Sequence, residues 1–105
     1  MATEIEVRID ESNDQFRGEL AVIVDVGPHS SKVKLLGSGS YATIPNDMLN
    51  PTVPSKNDRI KIIRGEYKGS YGSLRAIDEN SGIVNMDSLD ITIIGMHNIA
   101  KYCPY

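Results

Sequence analysis

The sequence predicts an all-β fold: two small five-stranded barrels in tandem, joined by a short proline-containing linker. Three observations carry this. Apolar residues recur at every second position in short runs bounded by Gly, Asn, Asp and Ser, the pattern of half-buried antiparallel strands. The two halves repeat each other at an interval of about 50 residues. At the junction, Asn50-Pro51-Thr52-Val53-Pro54-Ser55-Lys56 carries two prolines in seven residues, which favours an extended, semi-rigid connection. The expected domains are 4–50 and 57–102, with 51–56 as linker.

The first strand is Glu4-Ile5-Glu6-Val7-Arg8-Ile9, with Ile5, Val7 and Ile9 on one face. A polar loop, Asp10 to Gln15, leads to Phe16-Arg17-Gly18 and a second strand, Leu20 to Val24. After a turn at Gly27-Pro28-His29-Ser30-Ser31, Lys32-Val33-Lys34-Leu35 alternates again. Gly37-Ser38-Gly39-Ser40 has no apolar residue and reads as a hairpin tip before Tyr41-Ala42-Thr43-Ile44. Pro45 to Leu49 reads as a single helical turn.

The second half repeats this plan more clearly. Arg59-Ile60-Lys61-Ile62 alternates, and Lys68-Gly69-Ser70-Tyr71-Gly72 brings two spaced glycines, expected at a barrel corner. Ser73 to Ile77 and Ile83 to Met86 then flank a turn at Asp78 to Gly82. In the repeat, Val7 and Ile9 answer Ile60 and Ile62, and Phe16-Arg17-Gly18 answers Tyr67-Lys68-Gly69. Ala21 stands for Gly72, Val33 and Leu35 for Ile83 and Asn85, and Ile44 for Ile94. Modules of about 50 residues are marginal alone. The two are therefore expected to touch, with Ile63 and Ile94 as contacts because they break their strands' alternation.

Composition narrows the function. With 11 basic and 14 acidic residues the net charge is −3, too acidic for indiscriminate binding to a phosphate backbone. The charge is uneven: residues 1–50 hold 4 basic and 8 acidic side chains, a balance of −4, and residues 51–105 hold 7 and 6, a balance of +1. The lone Cys103 excludes an internal disulfide and suits a reducing compartment. No apolar run reaches the roughly 18–20 residues that span a bilayer, and no signal-peptide pattern opens the chain, so a soluble intracellular protein is expected. Met1-Ala2-Thr3 and Cys103-Pro104-Tyr105 read as the ends of a piece of a longer chain.

Catalysis finds little support. His29 and His97 belong to no nucleophile–base signature, and one cysteine with two separated histidines offers no metal-ligand spacing. Asp87 and Asp90 read as turn residues capping their own backbone, and Gly37 to Ser40 as a flexible tip with no helix behind it to hold phosphate. Tyr41, Tyr67 and Tyr71, without any Trp, make a poor cage for methylated lysine.

The informative set is basic. Arg59, Lys61, Arg64, Lys68 and Arg75 are interleaved with Tyr67 and Tyr71, the mixture a single-stranded nucleic acid uses for phosphate and base stacking. Arg59 and Lys61 alternate with core isoleucines and would face outward on any solvated barrel. A solvated face or protein contact is therefore favoured over specific nucleic-acid binding. The candidate contact residues are Lys61, Arg64, Tyr67, Lys68, Tyr71 and Arg75.

Ile60, Ile62, Gly65, Lys68, Gly69, Gly72, Leu74, Ile77 and Val84 resemble the KOW motif, which opens a small SH3-like barrel. A degenerate module followed by Lys56 to Ile62, Ser81 to Asp87, Asp90 to Ile94 and Ile99 to Lys101 narrows the resemblance. It is similar to the last two KOW domains of the large subunit of the eukaryotic transcription elongation factor DSIF, a NusG relative. The resemblance implies a nuclear, non-enzymatic elongation module with neither cofactor nor metal and no membrane contact. Its implied partners are the RNA polymerase II elongation complex, nascent RNA and other elongation or RNA-processing factors. The alternative is a sequence-tolerant RNA-binding module of a splicing or ribosome-associated protein. The KOW motif is structural, so no binding residue carries over from it.

Overall fold

The computed structural model describes residues 2–88 and 90–105. Its described residues form ten strands and two 3-10 turns, with no helix long and apolar enough to cross a membrane. The chain divides into two compact units, Met1–Thr52 with Cys103–Tyr105, and Val53–Tyr102.

In the first unit, β1 (Glu6–Ile9), β2 (Leu20–Asp25), β3 (Ser30–Leu35) and β4 (Tyr41–Pro45) are followed by a 3-10 turn (Asn46–Met48) and β5 (Leu49–Pro51). The second unit repeats the series with β6 (Arg59–Ile62), β7 (Tyr71–Asp78), β8 (Ser81–Met86), β9 (Ile91–Gly95), a 3-10 turn (Met96–Asn98) and β10 (Ile99–Lys101). Each unit holds one five-stranded sheet, in the orders β4-β3-β2-β1-β5 and β10-β6-β7-β8-β9. Every pairing is antiparallel. The tail rejoins the first unit: the Cys103 N–H donates to Glu4 O at 2.8 Å and the Tyr105 hydroxyl to Val24 O at 3.3 Å.

The alternation read from the sequence sets the cores. In the second unit Ile60, Ile62, Leu74, Val84, Met86, Ile94 and Ile99 form one buried cluster, with Met96 packed against it. Each such side chain, fully buried, contributes about 1.5–3 kcal/mol. Ile94, expected at a contact between modules, belongs instead to this core, because β9 points its even-numbered residues inward. Ile63 is buried, and its N–H donates to Asn98 O at 2.8 Å.

Strand burial also corrects the repeat. Val33 and Leu35 are buried on β3, and their counterparts on β8 are the buried Val84 and Met86, whereas Ile83 and Asn85 are the half-buried residues between them. The sequence alignment was one residue out of phase there, enough to exchange the faces of a strand.

The two corner glycines play different parts. Gly69 has φ +92 in the loop before β7, as a corner requires, and Gly18 does the same at φ +73 in the first unit. Gly72 lies inside β7 opposite Met86, where a Cβ would fall 2.8 Å from both Asn85 O and Val84 Cγ1. It is there for close approach, not for a turn.

One polar feature distinguishes the first core. The buried Ser31 hydroxyl donates to Asn46 Oδ1 at 2.6 Å, and the Asn46 amide donates to Gly27 O at 2.9 Å. At the equivalent places the second unit has Gly82 and Met96, and a Cβ on Gly82 would sit 3.0 Å from the Met96 sulfur. A hydrogen-bonded pair in one unit is thus replaced by a packed apolar pair in the other.

Candidate protein or nucleic-acid interface

The β6–β7 loop follows from its glycine. Gly65 takes φ +90, Lys68 N–H donates back to Gly65 O at 3.2 Å, and Gly69 N–H reaches Ile62 O at 2.8 Å. The turn throws Arg64, Glu66, Tyr67 and Lys68 into solvent. Arg64 is held in place, since its Nη1 donates to His97 O at 2.9 Å. Between this loop, the end of β9 and the following 3-10 turn lies an open cavity of about 190 Å³. Ile62 and Ile94 line its apolar part, and Arg64, Tyr67, Ile93 and Asn98 also border it.

The six candidate residues do not form one surface. Arg64, Tyr67 and Lys68 share the loop, and Tyr67 is 41% exposed. Arg75 is exposed on β7 where the ladder to β8 shifts register between Leu74 and Ala76. Lys61 and Tyr71 form a separate group: the Lys61 ammonium lies 5.3 Å from the Tyr71 ring, which meets Tyr102 edge-on with centroids 5.3 Å apart. Lys61 was expected to face solvent, yet it is only 9% exposed. The aliphatic stem of a lysine allows such burial while its charge rests on a ring face. Tyr41, the third tyrosine considered for a cage, belongs to the first unit, where Lys32 lies 4.9 Å from its ring centre.

Asp87 also reaches beyond its own turn: its carboxylate accepts two bonds from Arg59, at 2.7 and 2.6 Å. Those bonds hold the Asp87 carboxyl below its ordinary value of 3.8. They also raise the Arg59 guanidinium above its ordinary value. The expected turn around Asp87 includes Leu89, which lies outside the described residues. No group of three His, Cys, Asp or Glu side chains gathers at one place among the described residues.

Sequence reasoning missed the exposed isoleucines of β9. Ile91 is 70% and Ile93 72% exposed, and the register sets Ile83 on β8 opposite Ile93. An Ile-Thr-Ile-Ile run gives no clean phase, because three of its four residues are apolar.

Known proteins show the same pattern of likeness. The family model for the seventh KOW domain of transcription elongation factor SPT5 matches residues 52–102. A putative transcription elongation factor SPT5 homolog 1 of Arabidopsis thaliana is 41% identical over 88 residues, 80% of this chain and 8% of the relative. A putative SPT5 homolog 2 of the same plant is 38% identical over 84 residues, 76% of this chain and again 8% of the relative. The chain thus spans a small part of the length of these relatives.

Proposed function

Because the chain carries a KOW domain of the SPT5 transcription elongation factor family, we propose that it is a non-enzymatic docking module of such a factor. It works in the nucleus, where it engages the RNA polymerase II elongation complex, nascent RNA or other elongation and RNA-processing factors. The observation that carries this reading is the exposed face of the second unit, where Ile91 and Ile93 are bare on β9 and Ile93 borders the cavity beside the Arg64–Tyr67 turn. Isolated exposed apolar residues are ordinary, but adjacent β-branched side chains this bare on an edge strand mark a contact surface.

Each unit on this reading is an SH3-like barrel, the first a degenerate KOW module. Connectivity supports closure. A flat five-stranded sheet would hold its edges about 19 Å apart at ~4.8 Å per strand. Here one three-residue 3-10 turn, rising only about 6 Å, joins the two edge strands of each sheet. The sheet must curl at that end, while among the described residues β9 and β10 share no ladder and the outer edge of β9 stays unpaired by β10.

Capture of elongating polymerase by the purified chain, before and after nuclease treatment, tests the proposal. Nuclease-resistant capture is expected, and failure to enrich polymerase in either condition overturns it.

Exposed Arg64 and Lys68 flanking Tyr67 favour one second reading, sequence-tolerant RNA binding. In that case Arg64→Glu with Lys68→Glu abolishes retention of single-stranded RNA at low salt, and affinity falls steeply as salt rises. Unchanged retention removes this reading.

A further inference from the structure

The two units differ at one sheet edge, and the difference points to a ligand. β4 and β9 are the outer strands at the same end of their sheets. Their sequences align residue for residue: Tyr41, Thr43 and Pro45 correspond to Ile91, Ile93 and Gly95. Hydrogen bonds fix the phase of both. Met96 N–H donates to Asn80 O at 2.8 Å and Met86 N–H to Asp90 O at 3.0 Å. Antiparallel bonding alternates, so Thr92 and Ile94 face β8, while the backbone groups of Ile91, Ile93 and Gly95 point toward the outer edge. Asn46 N–H to His29 O at 2.9 Å and Leu35 N–H to Ser40 O at 2.8 Å set the same phase in the first unit, with Tyr41, Thr43 and Pro45 outward.

The first edge is therefore guarded. Pro45 has no N–H to offer, and Thr43 is polar, both means by which proteins blunt an edge strand. The second edge has lost each guard: Gly95 offers its N–H, Ile93 replaces Thr43, and the cavity lined by Tyr67, Ile94 and Arg64 adjoins the Ile93–Gly95 end.

We propose that β9 receives an extended segment of a partner protein as an added strand, apolar at alternate residues and carrying a carboxylate that meets Arg64. This deepens the docking reading above and rests on it. Only an extended backbone matches a row of alternating N–H and C=O groups. Arg64 and Lys68 outnumber Glu66 on the loop, which sets the sign of the ligand's charge. A second copy of this chain is a poorer occupant. A five-residue edge cannot bury the roughly 1,200–2,000 Å² of a stable protein–protein interface.

Gly95→Pro gives a clean test, because the guard can be transplanted. Gly95 has φ −58 and ψ 136 and Pro45 has φ −55 and ψ 138, so proline fits without backbone change. A Cβ there would approach His97 Cε1 at 2.9 Å, and His97 is exposed and able to swing aside. The probe is a capped peptide of about eight residues, valines alternating with threonines and one central threonine replaced by aspartate. It is titrated to millimolar concentration into the isotope-labelled chain, with backbone amide shifts recorded.

Expected shifts map to residues 64–67 and 91–95. Gly95→Pro should weaken binding about two- to tenfold, the cost of one hydrogen bond. Ile93→Thr should weaken it as well, and so should lysine in place of the peptide's aspartate. The same spectra report that each variant is folded. No shifts at millimolar peptide, shifts mapping to β4, or equal affinity in Gly95→Pro overturns the inference. Polymerase capture separates the two levels. Capture with an unresponsive β9 edge leaves docking standing and removes strand addition, whereas loss of wild-type capture removes docking whatever the peptide does.

Discussion

Gly72→Ala tests whether this glycine is needed for space. The added methyl would sit 2.8 Å from Asn85 O, 2.8 Å from Val84 Cγ1 and 3.3 Å from Met86 Cα. Favourable carbon contacts begin near 3.5 Å, so two of these overlap by about 0.7 Å. Neither neighbour yields easily: one is ladder backbone, and the other is a fully buried β-branched side chain. Overpacking of this kind costs about 1–3 kcal/mol. Gly72 is not at positive φ, so alanine also recovers up to about 1 kcal/mol of chain entropy. The net loss expected is about 1–2 kcal/mol. At ~4–8 °C per kcal/mol for a small domain, the melting midpoint should fall by about 4–16 °C. Circular dichroism melts at neutral pH, with urea titration as the isothermal check, measure it. A midpoint equal to or above that of the parent would refute the close-approach argument. Ala21→Gly at the matching place in the first unit removes a buried methyl and should also destabilise, by about 0.5–1 kcal/mol.

Leu74→Ala empties the centre of the second core and should cost about 2–5 kcal/mol in urea unfolding. Ser31→Ala strips Asn46 Oδ1 of its donor in the first core, with an expected loss of about 1–3 kcal/mol; an unchanged midpoint would show the pair to be energetically silent. The Asp87–Arg59 pair has a pH signature. The Asp87 carboxyl is depressed below 3.8 in the folded state, so its contribution is present above that value and lost as pH falls through the lower folded one. The melting difference between the parent and Asp87→Asn should therefore hold steady from neutral pH to about 5 and shrink below about 4. A gap that widens on acidification would contradict the assignment.

The core positions were legible wherever apolar residues alternate with polar ones along a strand. Ile60 and Ile62, or Ile5, Val7 and Ile9, declare their face because polar residues separate them. Legibility failed where both faces are apolar or covered. The Ile91 to Ile94 run hid its phase, and Lys61 shows its burial only once Tyr71 is placed against it. The repeat slipped by one residue at β8 because the interval that pairs Ala21 with Gly72 still holds for Val33 and Val84, and shortens by one only in the connection between β8 and β9. Asp87 and Arg59 are 28 residues apart, beyond the reach of any local pattern, and only the β6–β7–β8 ladder unites them. Of the candidate contacts, the Arg64–Lys68 loop was readable from its glycines and charges. The open edge beside it was not, although comparing Pro45 with Gly95 across the repeat would have exposed it.

The return of the tail to the first unit affects the timing of biogenesis. A ribosome delivers β1 to β5 well before Cys103 and Tyr105, with the entire second unit in between. At roughly 5–20 residues per second, Glu4 O and Val24 O wait several seconds for their partners. During that interval the earlier module exists without its last clasp, and its maturation is gated by completion of the later one.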